Sequence, residues 1–165
     1  MSLSPAISKA LNEQINHEMS ASYHYLAMSS YFEARDLKKF AALFREQSAE
    51  ETQHAMKIYD YVFTRGGEVR LGNIDALVVN FQTAEEVIRT ALKMEQGVTA
   101  QINAIHALAV KEMDVATQVL MNWFVDEQVE EEDKFQTLIT KVAAAGEDDW
   151  RLLILEDALD LGVAE

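Results

Sequence analysis

Two trios of polar residues share one spacing in this chain. Each trio consists of a glutamate and, further along, a pair of polar residues three positions apart. The members are Glu18, Glu51 and His54 in the first trio and Glu95, Gln128 and Glu131 in the second. Each residue of the second trio lies 77 positions after its counterpart in the first (95−18, 128−51 and 131−54). The same polar pattern therefore occurs in both halves of the chain.

The polar residues of both trios interrupt helical stripes that are otherwise apolar. An unpaired carboxylate among apolar side chains is costly, and a bound metal ion removes that cost. Glu51 and His54 are three positions apart, so one helix face directs both toward a common point. This is the only Glu-x-x-His sequence in the chain. Alone it is weak evidence, because a surface glutamate beside a core histidine gives the same pattern.

The signal becomes strong once Glu18, Glu95 and Glu131 are added from three other helices. No lysine or arginine occupies the stripe positions of these residues, so no basic residue is expected to neutralise the cluster. The four carboxylates carry a formal charge of −4, which two divalent ions balance, with His54 as a neutral ligand. Calcium and magnesium do not require an imidazole, so the ligand types favour iron or manganese.

Composition excludes several other classes of protein. The chain has 165 residues, of which 49% are hydrophobic, with one proline and six glycines, as expected for one helical domain spanning residues 1–165. It has no cysteine, so any metal must be held by oxygen and imidazole. The net charge of −14 argues against nucleic acid as a partner. No long apolar run or signal peptide is apparent, so we expect a cytoplasmic protein without a membrane partner.

Helical periodicity and capping signals predict four long helices and a short fifth helix. The expected limits are Ser4–Pro5 to about Phe32, Leu37 to Gly66–Gly67, Thr83 to a break near Asp114, Asp114 to Gly146, and Trp150 to Leu161. Between residues 69 and 82 the periodicity is lost, which predicts a long crossover. The predicted fold is an all-α four-helix bundle over about residues 4–146, with the crossover between helices 2 and 3 and a short C-terminal helix at about 150–161.

Four stretches of the chain resemble the bacterial non-haem ferritins, in the order found in that family. They are Leu11-Asn-Glu-Gln-Ile-Asn-His-Glu18, Ala49-Glu-Glu-Thr-Gln-His54, Lys93-Met-Glu95 and Trp123-Phe-Val-Asp-Glu-Gln-Val-Glu-Glu-Glu132. The resemblance covers essentially the whole chain. It implies a ferritin-like bundle that assembles into an octahedral cage of 24 subunits. It also implies that Fe(II) is oxidised by O2 or H2O2 and stored as a ferric mineral.

The resemblance assigns the two trios to a pair of iron ions in each subunit. Glu18, Glu51 and His54 resemble the ligands of the first iron, and Glu51 bridges to a second iron that Glu95 and Glu131 complete. Gln128 stands where a more symmetric site has a second bridging glutamate. An amide cannot bridge as an anion, so we expect an asymmetric pair that releases iron.

Four further residues are assigned by the resemblance with an alternative left open. Glu50, Glu127 and Glu130 resemble a third iron site that shares Glu131; the alternative is a solvated or inner-surface run of charge. Tyr25 resembles the family tyrosine beside the centre, where it donates an electron or a hydrogen bond. The alternative for Tyr25 is a core tyrosine.

Three other functions of this bundle are weighed against iron oxidation. A bacterioferritin binds haem through a methionine after the bridging glutamate, but this chain has Thr52 there, so no haem is expected. The di-iron peroxidases resemble proteins with two Glu-x-x-His motifs and a cysteine-bound iron module, which this chain lacks. A non-catalytic storage subunit would be indicated by a missing ligand, but every ligand position is filled.

Overall fold

The computed structural model describes residues 2–75, 77 and 80–159. Within those residues the chain forms five α-helices and no strand, which confirms the predicted all-α fold. The helices are α1 (Pro5–Glu33), α2 (Lys38–Thr64), α3 (Ala84–Lys111), α4 (Val115–Ala145) and α5 (Asp149–Ala158). The predicted end of the fifth helix at Leu161 lies outside the described residues.

Side-chain caps begin three of the long helices: the sequence predicts the caps at Ser4 and Thr83, and near Asp114 it predicts only a break between helices. Ser4 Oγ accepts a hydrogen bond from the main-chain N–H of Ile7, and Asp114 caps α4 through the N–H of Thr117. Thr83 caps α3 through the N–H of Glu86. The sequence Thr83-Ala-Glu-Glu86 predicts a capping box, in which the Glu86 carboxylate accepts from the main-chain N–H of Thr83. In the structure this carboxylate accepts from the main-chain N–H of Gln82 instead, one residue earlier.

The helices pack as two pairs joined by the long crossover. α1 packs mainly against α2, α3 packs mainly against α4, and α1 also contacts α3. Asn12 and Asn16 of α1 hold the crossover, because their side-chain oxygens accept hydrogen bonds from the main-chain N–H groups of Arg70 and Gly72. α5 packs against α4 and α2.

The bundle core consists of two apolar clusters, one toward each end. The first cluster includes Phe32, Phe40, Ile88 and Phe135, and the second includes Leu11, Ile58, Ile102 and Phe124. Chain order shows the helix directions: α1 and α4 run from the second cluster to the first, whereas α2 and α3 run from the first to the second. This is the up-down-down-up order of a four-helix bundle with one long connection.

Candidate metal centre

A polar layer lies where each long helix passes from one apolar cluster to the other. All six residues of the two trios are buried there, with exposed fractions between 0% and 7%. The values are Glu18 0%, Glu51 1%, His54 7%, Glu95 1%, Gln128 3% and Glu131 6%. Burying four carboxylates and an imidazole between apolar clusters is unfavourable unless each group gains a partner.

The first trio converges on one point and lacks partners there. One ligand atom from each of Glu18, Glu51 and His54 lies within 4.8 Å of the others. Gln14 Nε2 donates to Glu18 Oε1 at 2.9 Å, but Glu18 Oε2 and Glu51 Oε2 are buried with no hydrogen-bond partner. Two orphaned carboxylate oxygens beside an imidazole fit a divalent cation. Among the described residues no other group of this kind meets the same geometric limits.

Aromatic side chains hold the His54 ring in place. The rings of Trp123 and Phe124 on α4 meet it edge to face, with centroid distances of 5.5 and 5.8 Å. Its Nδ1 lies 3.8 Å from Glu51 Oε2. The imidazole is therefore oriented before any cation binds.

In the second trio, by contrast, every carboxylate oxygen has a partner. Tyr25, which is fully buried, donates its hydroxyl to Glu95 Oε1, and Gln128 Nε2 donates to Glu95 Oε2 at 3.0 Å. Gln47 Nε2 donates to Glu131 Oε2 at 3.1 Å, and Lys134 Nζ donates to Glu131 Oε1 at 2.6 Å. The two halves of the 77-residue repeat thus differ in hydrogen bonding as well as in sequence.

The structure corrects one expectation from the sequence, that no basic residue neutralises the cluster. The Lys134 ammonium contacts Glu131, although Lys134 lies off the apolar stripe, because its long stem reaches back three residues along α4. Gln14 and Gln47 are further contacts that the sequence interpretation misses. Spacing could have indicated Gln14, which stands four residues before its partner Glu18. Gln47 bonds to Glu131 on another helix, so its spacing gives no such signal.

Burial raises the pKa of all four carboxyl groups in the layer. It raises the pKa of Glu18 well above its ordinary value, and that of Glu51 to about 8, with the Glu95 charge adding to the second shift. Burial also raises the pKa of Glu95, and that of Glu131 despite the opposing charge of Lys134. Without metal the layer therefore retains protons, which an incoming cation can displace.

Burial, followed by the Glu95 charge, raises the pKa of Tyr25 well above its ordinary value. Its hydroxyl therefore stays protonated and remains a donor to Glu95. The sequence left two interpretations of Tyr25 open, a core tyrosine and a tyrosine beside the centre. Both describe this residue, because its ring is buried in the core and its hydroxyl bonds to the candidate ligand Glu95.

The residues of the predicted third site lie on the outer side of the layer. Glu50 and Glu130 are exposed and Glu127 is half-buried. Lys134 Nζ lies 3.9 Å from Glu50 Oε2, on the path between Glu50 and Glu131. Within the described part of the chain, these glutamates do not form a group compact enough to hold a cation. The third site stays a prediction.

None of the described helices combines the length and the apolar character that crossing a membrane requires.

Comparison with known proteins agrees with this arrangement. The family profile described as a ferritin-like domain matches residues 8–145. The chain is 36% identical over 157 residues to a bacterial non-heme ferritin of Staphylococcus aureus, covering 95% of each chain. It is 38% identical, at the same coverage, to the bacterial non-heme ferritin of Staphylococcus haemolyticus.

Solved structures match the whole fold. An open pore ferritin from the archaeon Archaeoglobus fulgidus superposes with a TM-score of 0.93 at 36% identity, covering 99% of this chain and 100% of that one. A structure described as a humanized archaeal ferritin gives the same TM-score and identity and covers 99% of each chain. The bundle, the buried polar layer and these matches together show that the chain belongs to the ferritin family.

Proposed function

We propose that this chain oxidises Fe(II) to Fe(III) at a di-iron centre inside each subunit, and that its assembly stores the product as a ferric mineral in the cytoplasm. The observation that carries the proposal is the convergence of Glu18, Glu51 and His54, in which two buried carboxylate oxygens lack partners. Membership of the ferritin family supports iron as the cation.

The residues divide between the two iron ions as follows. Glu18, Glu51 and His54 bind the first Fe(II), and Glu51 bridges to the second, which Glu95 and Glu131 complete. Two Fe(II) ions supply two electrons, and O2 takes up these two electrons and two protons to become H2O2. H2O2 takes up two further electrons, from two further Fe(II) ions, and two further protons to become two water molecules. The protein contributes binding geometry and negative charge, and the iron carries out the redox step.

Gln128 and Tyr25 act on the second iron through Glu95. Both donate to this carboxylate, so they fix its position without adding negative charge. A neutral amide at position 128 leaves the pair asymmetric, which favours passage of Fe(III) onward over permanent retention. Glu50, Glu127 and Glu130 form the outer acidic group toward which that iron moves, with Glu131 shared.

A non-catalytic storage subunit is the second candidate, and the filled ligand set argues against it. A haem-binding variant is disfavoured at position 52, because Thr52 offers no thioether and its hydroxyl bonds to the carbonyl oxygen of Ser48. A peroxidase relying on a cysteine-bound iron module is disfavoured because the chain contains no cysteine.

Purified metal-free protein given Fe(II) in air will gain ferric absorbance much faster than buffer does. The physical reason is that two ions held together deliver two electrons to one O2 molecule, whereas free Fe(II) ions must meet it separately. Stopped-flow absorbance measures the rate, and an oxygen electrode measures the ratio of iron to O2. A rate equal to that of buffer would contradict the proposed oxidase.

The assembly will have the mass of about 24 subunits, each of 18.6 kDa. Exposed apolar side chains support assembly, because large hydrophobic groups on a surface favour contact with other subunits. They include Met113 at 83% exposed, Val115 at 66% and Val119 at 63% near the α3–α4 turn, and Trp150 at 68% on α5. Sedimentation velocity measures the mass, and a monomer at micromolar concentration would contradict the cage.

A further inference from the structure

Lys134 places a positive charge at one edge of the candidate metal centre. Its Nζ lies 2.6 Å from Glu131 Oε1, 2.6 Å from Gln47 Oε1 and 3.9 Å from Glu50 Oε2. The Lys134 side chain is 34% exposed, whereas that of Glu131 is 8% exposed. The ammonium therefore lies between the buried carboxylates and the surface.

Lys134 and Gln47 each donate a hydrogen bond to the Glu131 carboxylate. The Gln47 amide oxygen accepts from Lys134, and its amide nitrogen donates to Glu131 at 3.1 Å. Both Glu131 oxygens are thus engaged by groups that are bonded to each other. A metal ion that binds Glu131 must either approach a carboxylate that already has an ammonium group 2.6 Å away or displace that ammonium and its charge-assisted hydrogen bond, which is the stronger kind.

The first trio has no equivalent obstacle. The residue 77 positions before Lys134 is Lys57. Lys57 follows His54 of the first trio by three positions, just as Lys134 follows Glu131 of the second trio by three positions. Lys57 Nζ lies 3.9 Å from the centroid of the Trp123 ring and thus faces an indole. Among the described residues, none donates a hydrogen bond to Glu18 Oε2 or Glu51 Oε2, and no lysine or arginine forms an ion pair with either carboxylate. The two lysines are equivalent in sequence, but only the Lys134 ammonium contacts a candidate metal ligand.

We propose that Lys134 is a resident counter-cation that competes with the second metal ion for Glu131. The inference rests on the proposed function, because it assigns a residue to the second position of the di-metal centre. Lys134 lowers the affinity of that position and leaves the first position unaffected. Lys134 is thus a positioning residue that makes the second ion weakly held and easily passed on.

The test is zinc binding by metal-free protein, because Zn2+ does not undergo redox chemistry and takes carboxylate and imidazole ligands. Isothermal titration calorimetry of the whole assembly gives the number and strength of the binding steps per subunit. In Lys134→Met the second step will tighten by at least about tenfold, and the first step will stay unchanged. The matched control Lys57→Met, which removes the charge at the equivalent place in the first half, will change neither step.

X-ray diffraction shows which metal position each zinc-binding step fills. Crystals given limiting Zn2+ and measured at the zinc absorption edge will show the first position filled and the second nearly empty in the unmodified protein. In Lys134→Met the occupancy of the position beside Glu95 and Glu131 will rise. Lys134→Gln keeps a polar side chain and serves as the second variant if Lys134→Met does not assemble.

The outcomes separate this inference from the proposed function. If Zn2+ does not bind at Glu18, Glu51 and His54 in the unmodified protein, the proposed metal centre itself is wrong. If that position fills but neither Lys134 variant strengthens the second step, only the role of Lys134 is overturned. A second step that weakens in both variants would assign Lys134 a purely structural role.

Discussion

Replacing Glu51 and His54 together by alanine will reduce iron oxidation to the rate seen in buffer. Glu51 is the proposed bridge between both iron ions, and His54 is the only nitrogen ligand proposed for them. Loss of outer residues that merely orient metal ligands already costs about 10- to 100-fold in affinity or activity, so loss of two ligands will cost at least about a hundredfold. Stopped-flow absorbance under the conditions used for the unmodified protein measures the difference.

The same helix offers a matched control for this double variant. Glu46 and Gln53 are exposed residues of α2, and replacing both by alanine removes one acid and one polar side chain without touching the layer. This control will oxidise iron at the rate of the unmodified protein. Helical content and particle size must match in all three proteins. A Glu51→Ala, His54→Ala protein of normal size that still oxidises iron at the full rate would show that the chemistry takes place elsewhere.

Local signals in the sequence were sufficient to predict the helices and the polar layer. Ser4, Thr83 and Asp114 are caps whose oxygen atoms satisfy the first main-chain N–H groups, so their positions determine where the helices begin. A glutamate within an apolar stripe is buried wherever the rest of the stripe is buried. This is why the burial of Glu18 and Glu95 could be predicted from spacing alone.

The partners of the carboxylates could not be predicted in the same way. Lys134 lies off the apolar stripe, and whether its flexible stem turns toward Glu131 or toward solvent depends on Gln47 from another helix. The 77-residue repeat predicts which residues occupy equivalent positions in the two halves, but it does not predict their contacts. Lys57 is equivalent to Lys134 in sequence, yet it lies over the Trp123 ring and not beside a carboxylate of the layer. The asymmetry of the centre therefore depends on packing between helices, which sequence spacing does not encode.

Raising the pH from about 5.5 to about 8 will destabilise the metal-free protein. The pKa of Glu51 is about 8 in the folded chain against an ordinary value of 4.5, and burial also raises the pKa values of Glu18, Glu95 and Glu131. Between those values the folded chain binds more protons than the unfolded chain. The stabilising contribution is therefore fully present below pH 4.5 and is lost as the pH rises through about 8.

Thermal unfolding followed by circular dichroism, at one protein concentration, measures this trend. Glu51→Gln is the control, because an amide does not titrate, and its unfolding temperature will depend less on pH. Asp114 shows the opposite behaviour: Arg65 lowers the pKa of its carboxyl group, so its stabilising effect is lost only under more acidic conditions than those of the experiment. An unfolding temperature that is constant or rises toward pH 8 would contradict the buried cluster of protonated carboxyl groups.

Saturating Zn2+ will remove most of this pH dependence near pH 8, because the cation takes the place of the protons among the buried carboxylates. A ligand present at about a thousand times its dissociation constant stabilises the folded state by ~4 kcal/mol for each site. The unfolding temperature at pH 8 will therefore rise more with zinc than the temperature at pH 5.5, where zinc must displace bound protons. Equal rises at both pH values would show that the cation binds away from these carboxyl groups.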